Sequence, residues 1–225
     1  MAHFDSSPAA GDGATQAFDL AAVDEILSTA RSVRRKLDFE RPMDEQELLD
    51  CINVATQAPV GLGGENWRFV VATQSPQKQA IAQIYRNVLE EIQQRHGLAL
   101  KPTQHALADR LHEIPAMILV CVEGQPADQE THSQVGFYGS ILPAAWSLML
   151  ALRARNIGCT WTSLLASRPT EVAQALGIPG AVTQTVMLPI GYTKGAVLRR
   201  AKRRDAAEIT YWNRWGNTCG DTNDP

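Results

Sequence analysis

Most of the side chains that announce a catalytic mechanism are missing from this 225-residue chain. Its four cysteines, Cys51, Cys121, Cys159 and Cys219, form no CxxC pair. Its five histidines, His3, His96, His105, His112 and His132, fall at no ligand spacing, so the expectation is no metal site. There is no GxSxG elbow, no HExxH, no P-loop and no GxGxxG, which removes the common hydrolase, zinc-protease, NTPase and Rossmann readings. The formal net charge of -3 gives no global basic field, so neither nucleic acid nor an anionic membrane is expected as a partner. No apolar run reads as a membrane span. Met1 to Gly13 lacks a basic region followed by an apolar core, so no signal peptide is expected. Cys51, Cys121 and Cys159 sit in apolar runs and read as reduced core thiols of a cytoplasmic protein.

What is present is an ordinary globular composition, 44% hydrophobic and 20% charged, long enough for a single well-buried core. Residues 1–18 are expected as a disordered tail, 19–215 as one domain and 216–225 as a second tail. Asp19 can cap a helix to about Ala30, with Leu20, Val23, Ile26 and Leu27 on one face. Asp44 starts a second helix over 45–56. Trp67 to Thr73 and the continuous run Met117 to Val122 read as buried strands, and Ser75-Pro76 opens a helix to about Arg95. Residues 96–110 are polar and suggest a lid or insertion. Val135 to Arg155 reads as one long helix with Pro143 inside it. A strand over 157–163, a helix over 169–176 ended by Gly177, a strand over 182–192 and a short terminal strand over 208–212 complete the chain. Helices and strands mix without strict βαβ alternation, so the fold class is α+β, with a mixed or antiparallel sheet.

Four segments carry candidate chemistry. Arg31-Ser32-Val33-Arg34-Arg35-Lys36 places four cations and a hydroxyl in six residues. That suits a phosphate, and equally suits cations at a helix C-terminus. Ala58 to Trp67 contains Pro59, Val60, Gly61, Gly63 and Gly64, and could let backbone approach a flat ligand or simply connect elements. Thr160, Thr162 and Ser163 bring hydroxyls to the end of an apolar strand, which by itself is ordinary Thr content. Arg199 to Arg204, with Lys202 inside, is a second basic cluster in an acidic protein, or a solvated turn. An enzyme lacking its own acid, base, nucleophile or metal needs a cofactor.

In order and spacing, these segments resemble the nitroreductase family of flavoproteins. The resemblance runs from about Ala22 to Trp215. Its carriers are ARSVRRKLDF, APVGLGGENWRFVV, YGSILPAAWSLMLALRARNIGCTWTSLL, VAQALGIPGAVTQTVMLPIGYTKG and AEITYWNRW. The resemblance implies FMN bound at the interface of a homodimer whose C-terminal strand is exchanged between subunits. It implies NAD(P)H as electron donor and a nitroaromatic, quinone, enone or aldehyde as acceptor, in ping-pong order. The cofactor-binding residues it implies are Arg31, Ser32, Arg34, Arg35, Pro59, Val60, Gly61, Gly63, Thr162, Ser163, Leu164, Lys202 and Arg204. Among them Arg34 would lie by the N1 and O2 edge of the ring, where the reduced flavin carries negative charge. Thr162 to Leu164 would face N5 and O4. Three positions depart from the common pattern: Ala30 stands where an Arg is frequent, Gly63 where an Asn is usual and Glu65 where a Gln is usual. A dehalogenase variant, with a zwitterionic substrate held by residues such as Tyr85, Glu90, Glu91 and Lys101, and a non-catalytic protein that sequesters FMN are the other readings.

Overall fold

A computed structural model describes residues 18–61, 64–97 and 102–218. Four strands, β1 (Trp67–Ala72), β2 (Ala116–Glu123), β3 (Ile157–Cys159) and β4 (Val182–Tyr192), pair antiparallel in the order β1-β2-β4-β3. Seven helices are described around them: α1 (Leu20–Thr29), α2 (Glu45–Ala55), α3 (Ser75–His96), α4 (Pro102–Arg110), α5 (Thr131–Gly139), α6 (Leu142–Ala154) and α7 (Pro169–Leu176). The fold is α+β, and its sheet is an antiparallel one.

The period-two alternation of a strand explains why β2 is apolar without interruption. Ile118, Val120 and Val122 pack into one core with Leu48 and Cys51 of α2 and Ala145 and Leu148 of α6. Met117, Leu119 and Cys121 face the opposite side, into a second core with Ile81, Tyr85 and Leu89 of α3 and Leu107 of α4. The central strands are therefore buried on both faces. Cys51, Cys121 and Cys159 are all buried, as their apolar settings imply, while Cys219 lies outside the described residues.

Four sequence-based expectations change. Residues 102–110 form a helix docked into the second core through Leu107 and Ala108, which a mobile lid would not do. The segment expected as one helix over 135–155 is broken between Gly139 and Leu142. Pro143 is the cause: it lacks an N–H and its ring clashes with the preceding turn, so it sits in the first turn of α6. Taken together, Thr131–Ala154 is long and apolar enough, by length and composition, to cross a membrane. The break and the buried positions of α6 read as a core element instead. β3 ends at Cys159 rather than 163, because the next residues turn toward the 31–36 loop. Thr160 Oγ1 donates to Val33 O, while the contact with β4 thins to one backbone bond from Thr160 N to Pro189 O at 3.3 Å and the bridge Thr162–Met187. Finally, 208–212 is no strand. Ala206–Ile209 is a 3-10 turn and the residues that follow it to Gly216 are exposed; among the described residues no strand pairs with this segment.

The first helix is the odd one. Its expected inner face is largely uncovered: Leu20 and Val23 are exposed, as is Leu27, and its one buried residue is Thr29.

Candidate functional site

The opening basic segment is laid along the β3 edge by backbone bonds. Val33 N donates to Cys159 O at 2.8 Å, Lys194 N donates to Lys36 O at 2.9 Å and Asp38 N donates to Tyr192 O at 2.8 Å. Val33 and Leu37 point inward and are buried. The close approach requires Gly158, since a Cβ there would lie 2.7 Å from Leu37 Cδ2 and 3.0 Å from Val33 Cβ. With 33 and 37 anchored, the intervening polar side chains are turned outward.

Those side chains form one wall of a cleft of about 380 Å³, lined by Ser32, Val33, Arg34, Arg35 and Lys36 on one side and Gly195 to Leu198 on the other, with Thr103 of α4 at its rim. The two basic clusters are joined there: Arg31 Nε donates to Arg199 O at 3.2 Å. Arg31 and Arg34 are half-buried; Arg35, Lys202 and Arg204 are exposed, the last two on the chain that continues from the cleft wall. Among the described residues none of these five cations is engaged in an ion pair, although the protein pairs other arginines, such as Arg68 with Glu123 and Arg110 with Glu113.

Thr162 is buried and bridges to Met187 of β4, and its Oγ1 accepts from Leu164 N at 3.4 Å. Ser163 is exposed and Leu164 opens the 3-10 turn Leu164–Ser167. Sequence reasoning named Tyr85 only as a substrate-holding residue of the dehalogenase reading. This phenol projects from α3 and is buried, with the Arg34 charge and the Thr162 side chain close enough to act on its hydroxyl. Burial pushes its pKa up, opposed by the Arg34 charge and the Thr162 hydrogen bond. The available signal was its inward position with Ile81, Val88 and Leu89 on an otherwise polar helix. Tyr85 therefore faces the Arg34–Thr162 pair, and Glu91 is tied to Arg168 by an ion pair. Glu90 is exposed, and Lys101 lies outside the described residues.

The other expected flavin-contacting stretch is elsewhere. Pro59, Val60 and Gly61 are exposed, and Gly61 N donates to Ser140 Oγ at 3.2 Å, at the N-terminal end of α6. Gly63 lies outside the described residues. Arg31 and Val33 instead pack beside Met149 and Arg153, toward the other end of that helix. The 59–61 stretch leads into edge strand β1 and the 31–36 stretch runs along edge strand β3. Three strand spacings separate them, roughly 14 Å, and α6 spans about 20 Å. One chain does not bring the two stretches together.

The sequence profile of the nitroreductase family matches residues 27–192. The chain belongs to the nitroreductase family. Members of this family are oxidoreductases. The chain is similar to the iodotyrosine deiodinase of Daphnia pulex, 25% identical over 209 residues that span 82% of this chain and 69% of that protein. It is also similar to the 5,6-dimethylbenzimidazole synthase of Rhodospirillum rubrum, 27% identical over 184 residues that span 76% of this chain and 82% of the other. A crystal structure of oxidized iodotyrosine deiodinase bound to FMN and 3-iodo-L-tyrosine superposes with a TM-score of 0.64 at 21% identity, covering 85% of this chain and 98% of that one. That likeness is one of fold.

Proposed function

We propose that this nitroreductase-family chain is an FMN-dependent oxidoreductase that takes electrons from NAD(P)H and delivers them to an electrophilic organic acceptor, in ping-pong order and as a homodimer. The observation that carries the proposal is the cleft beside Arg34, Tyr85 and Thr162, whose cations form no ion pair among the described residues. FMN, when bound, supplies the electron relay that no side chain here can supply.

The donor set fits that cofactor. Arg31, Ser32 and Arg35, with Lys202 and Arg204 from the second basic stretch, would hold its terminal phosphate; cations left without carboxylates are free to neutralise a dianion. Arg34, carried between the anchored Val33 and Leu37, would present its charge to the ring edge where reduction places negative charge. Thr162 to Leu164 are tied to β4 by the Met187 bridge and to one another by the Leu164 N bond to Thr162 Oγ1. They would set the depth and tilt of the ring.

A second copy completes the site. Phe18, Leu20, Val23 and Leu27 on and before α1, and Trp146 of α6, the helix α1 packs against, are exposed apolar side chains. Ile209, Trp212 and Trp215 of the C-terminal arm are exposed as well. In the proposed dimer these surfaces are covered, the arm crosses to the partner, and each chain's Pro59 to Gly63 loop reaches the cation cleft of the other.

Nitroaromatics, quinones, enones and aldehydes are the acceptor classes. Gly63, where an Asn is usual, favours a second reading, a protein that holds FMN without turning over. One experiment separates the two. The purified protein should be yellow, release FMN rather than FAD on denaturation, and oxidise NADH or NADPH when a quinone or nitro compound is added. A released FAD, or no flavin after reconstitution, contradicts the cofactor. FMN without NAD(P)H oxidation selects the second reading.

A further inference from the structure

We propose that Ser140 is a positioning residue for the cofactor site, acting through the backbone of Gly61; this rests on the reading above, in which the Pro59 to Gly61 stretch touches the flavin. Ser140 occupies the break between α5 and α6. Its Oγ accepts from Gly61 N at 3.2 Å and donates to Gly136 O at 3.0 Å. Its carbonyl accepts from Trp67 Nε1 at 2.6 Å. One residue thus grips the connection between α2 and β1 at two points, in mid-loop and where β1 begins.

The grip matters because little else covers the loop. Pro59, Val60, Gly61, Gly64 and Glu65 are all exposed, and an exposed connector of this composition samples many conformations unless it is tied. A loop that must be ordered at the moment of ligand binding weakens that binding by the cost of ordering. Gly61 is fitted to the anchor: a Cβ at this position would stand 2.8 Å from Ser140 Oγ, so a larger residue pushes the loop off its tether. The helix break supplies the anchor. Were 131–154 one continuous helix, the Ser140 carbonyl would be used within it. The break created by Pro143 leaves that carbonyl free for Trp67, with Oγ directed at the loop.

The test is FMN binding, followed by quenching of flavin fluorescence, together with the thermal unfolding of each apoprotein. Ser140→Ala keeps the carbonyl for Trp67 and removes only the hydroxyl. It should raise the FMN dissociation constant about fivefold, the weight of one neutral hydrogen bond, and Ser140→Thr should restore it. Gly61→Ala, on the exposed loop and clear of the core, should raise the constant as well. The double variant Gly61→Ala/Ser140→Ala has neither tether nor clash, so its constant should be no higher than that of Gly61→Ala alone. Unchanged affinity in Ser140→Ala, or two effects that simply multiply in the double variant, overturns the proposal. If Ser140→Ala fails to fold, the Gly61→Ala constant decides, and a wild-type value there overturns it. Failure of the underlying reading shows separately, as absence of FMN binding by the wild-type protein.

Discussion

Arg34 lies between the buried Val33 and Leu37 and beside a buried phenol. If the ring edge lies there, replacing it removes a charge-assisted contact worth about 2 kcal/mol, roughly thirtyfold in affinity. Fluorescence titration of Arg34→Ala with FMN measures this, and an unchanged constant would leave Arg34 a surface charge. The buried thiols make a second prediction at this scale. Burial pushes both Cys121 and Cys159 up to about 12, from an ordinary 9.0. The unfolded chain therefore releases these protons near 9 while the native chain still holds them. Their contribution to stability is complete below that pH and is lost as pH rises toward 12. The stability difference between wild type and Cys121→Ala, from urea unfolding, should narrow between about pH 8 and about pH 10. A difference that widens contradicts the assignment. Tyr85 and Ser140 show what a sequence conceals at this scale. The basic segments announce themselves by charge, but Gly61 meets Ser140 79 residues away, and no local pattern marks either partner.

At the scale of elements, continuous apolar runs were the readable part. β1, β2 and β4 follow their hydrophobic patterns, and α2 and α3 begin at the capping Asp44 and at Ser75-Pro76. What escaped was set by tertiary context. α4 is polar along most of its length and is fixed by Leu107 and Ala108, too few apolar positions to show a helical period. The terminal segment has strand-forming residues, and among the described residues it pairs with no strand of its own chain. The α5–α6 break was signalled by Pro143 itself, whose cost inside a helix outweighs the apolar pattern around it. α6 is the hinge of the design, with one end at the 59–61 loop and the other at the basic cleft. Leu148 lies at its centre, fully buried between α2 and the sheet. Leu148→Ala should cost about 2–5 kcal/mol in urea unfolding. A loss below about 1 kcal/mol would mean that the core collapses around the gap and does not depend on this contact.

For the whole molecule, the two stretches expected to hold one cofactor stand at opposite edges of the sheet. The same chain leaves Leu20 71%, Trp212 56% and Trp215 90% exposed. In the proposed dimer a second copy would resolve both features, bringing a distant loop to each cleft and covering the apolar face. Deleting residues 205–225 should therefore weaken dimerisation and FMN binding together, read by size-exclusion chromatography and flavin titration. Loss of one without the other would separate the arm from the site. The most direct measurement is sedimentation of the full-length protein at about micromolar concentration, followed through the visible absorbance of its flavin. The expected result is a single boundary at the mass of a dimer, carrying all of the flavin. A monomer that sediments with FMN still bound would contradict a cofactor site built from two chains.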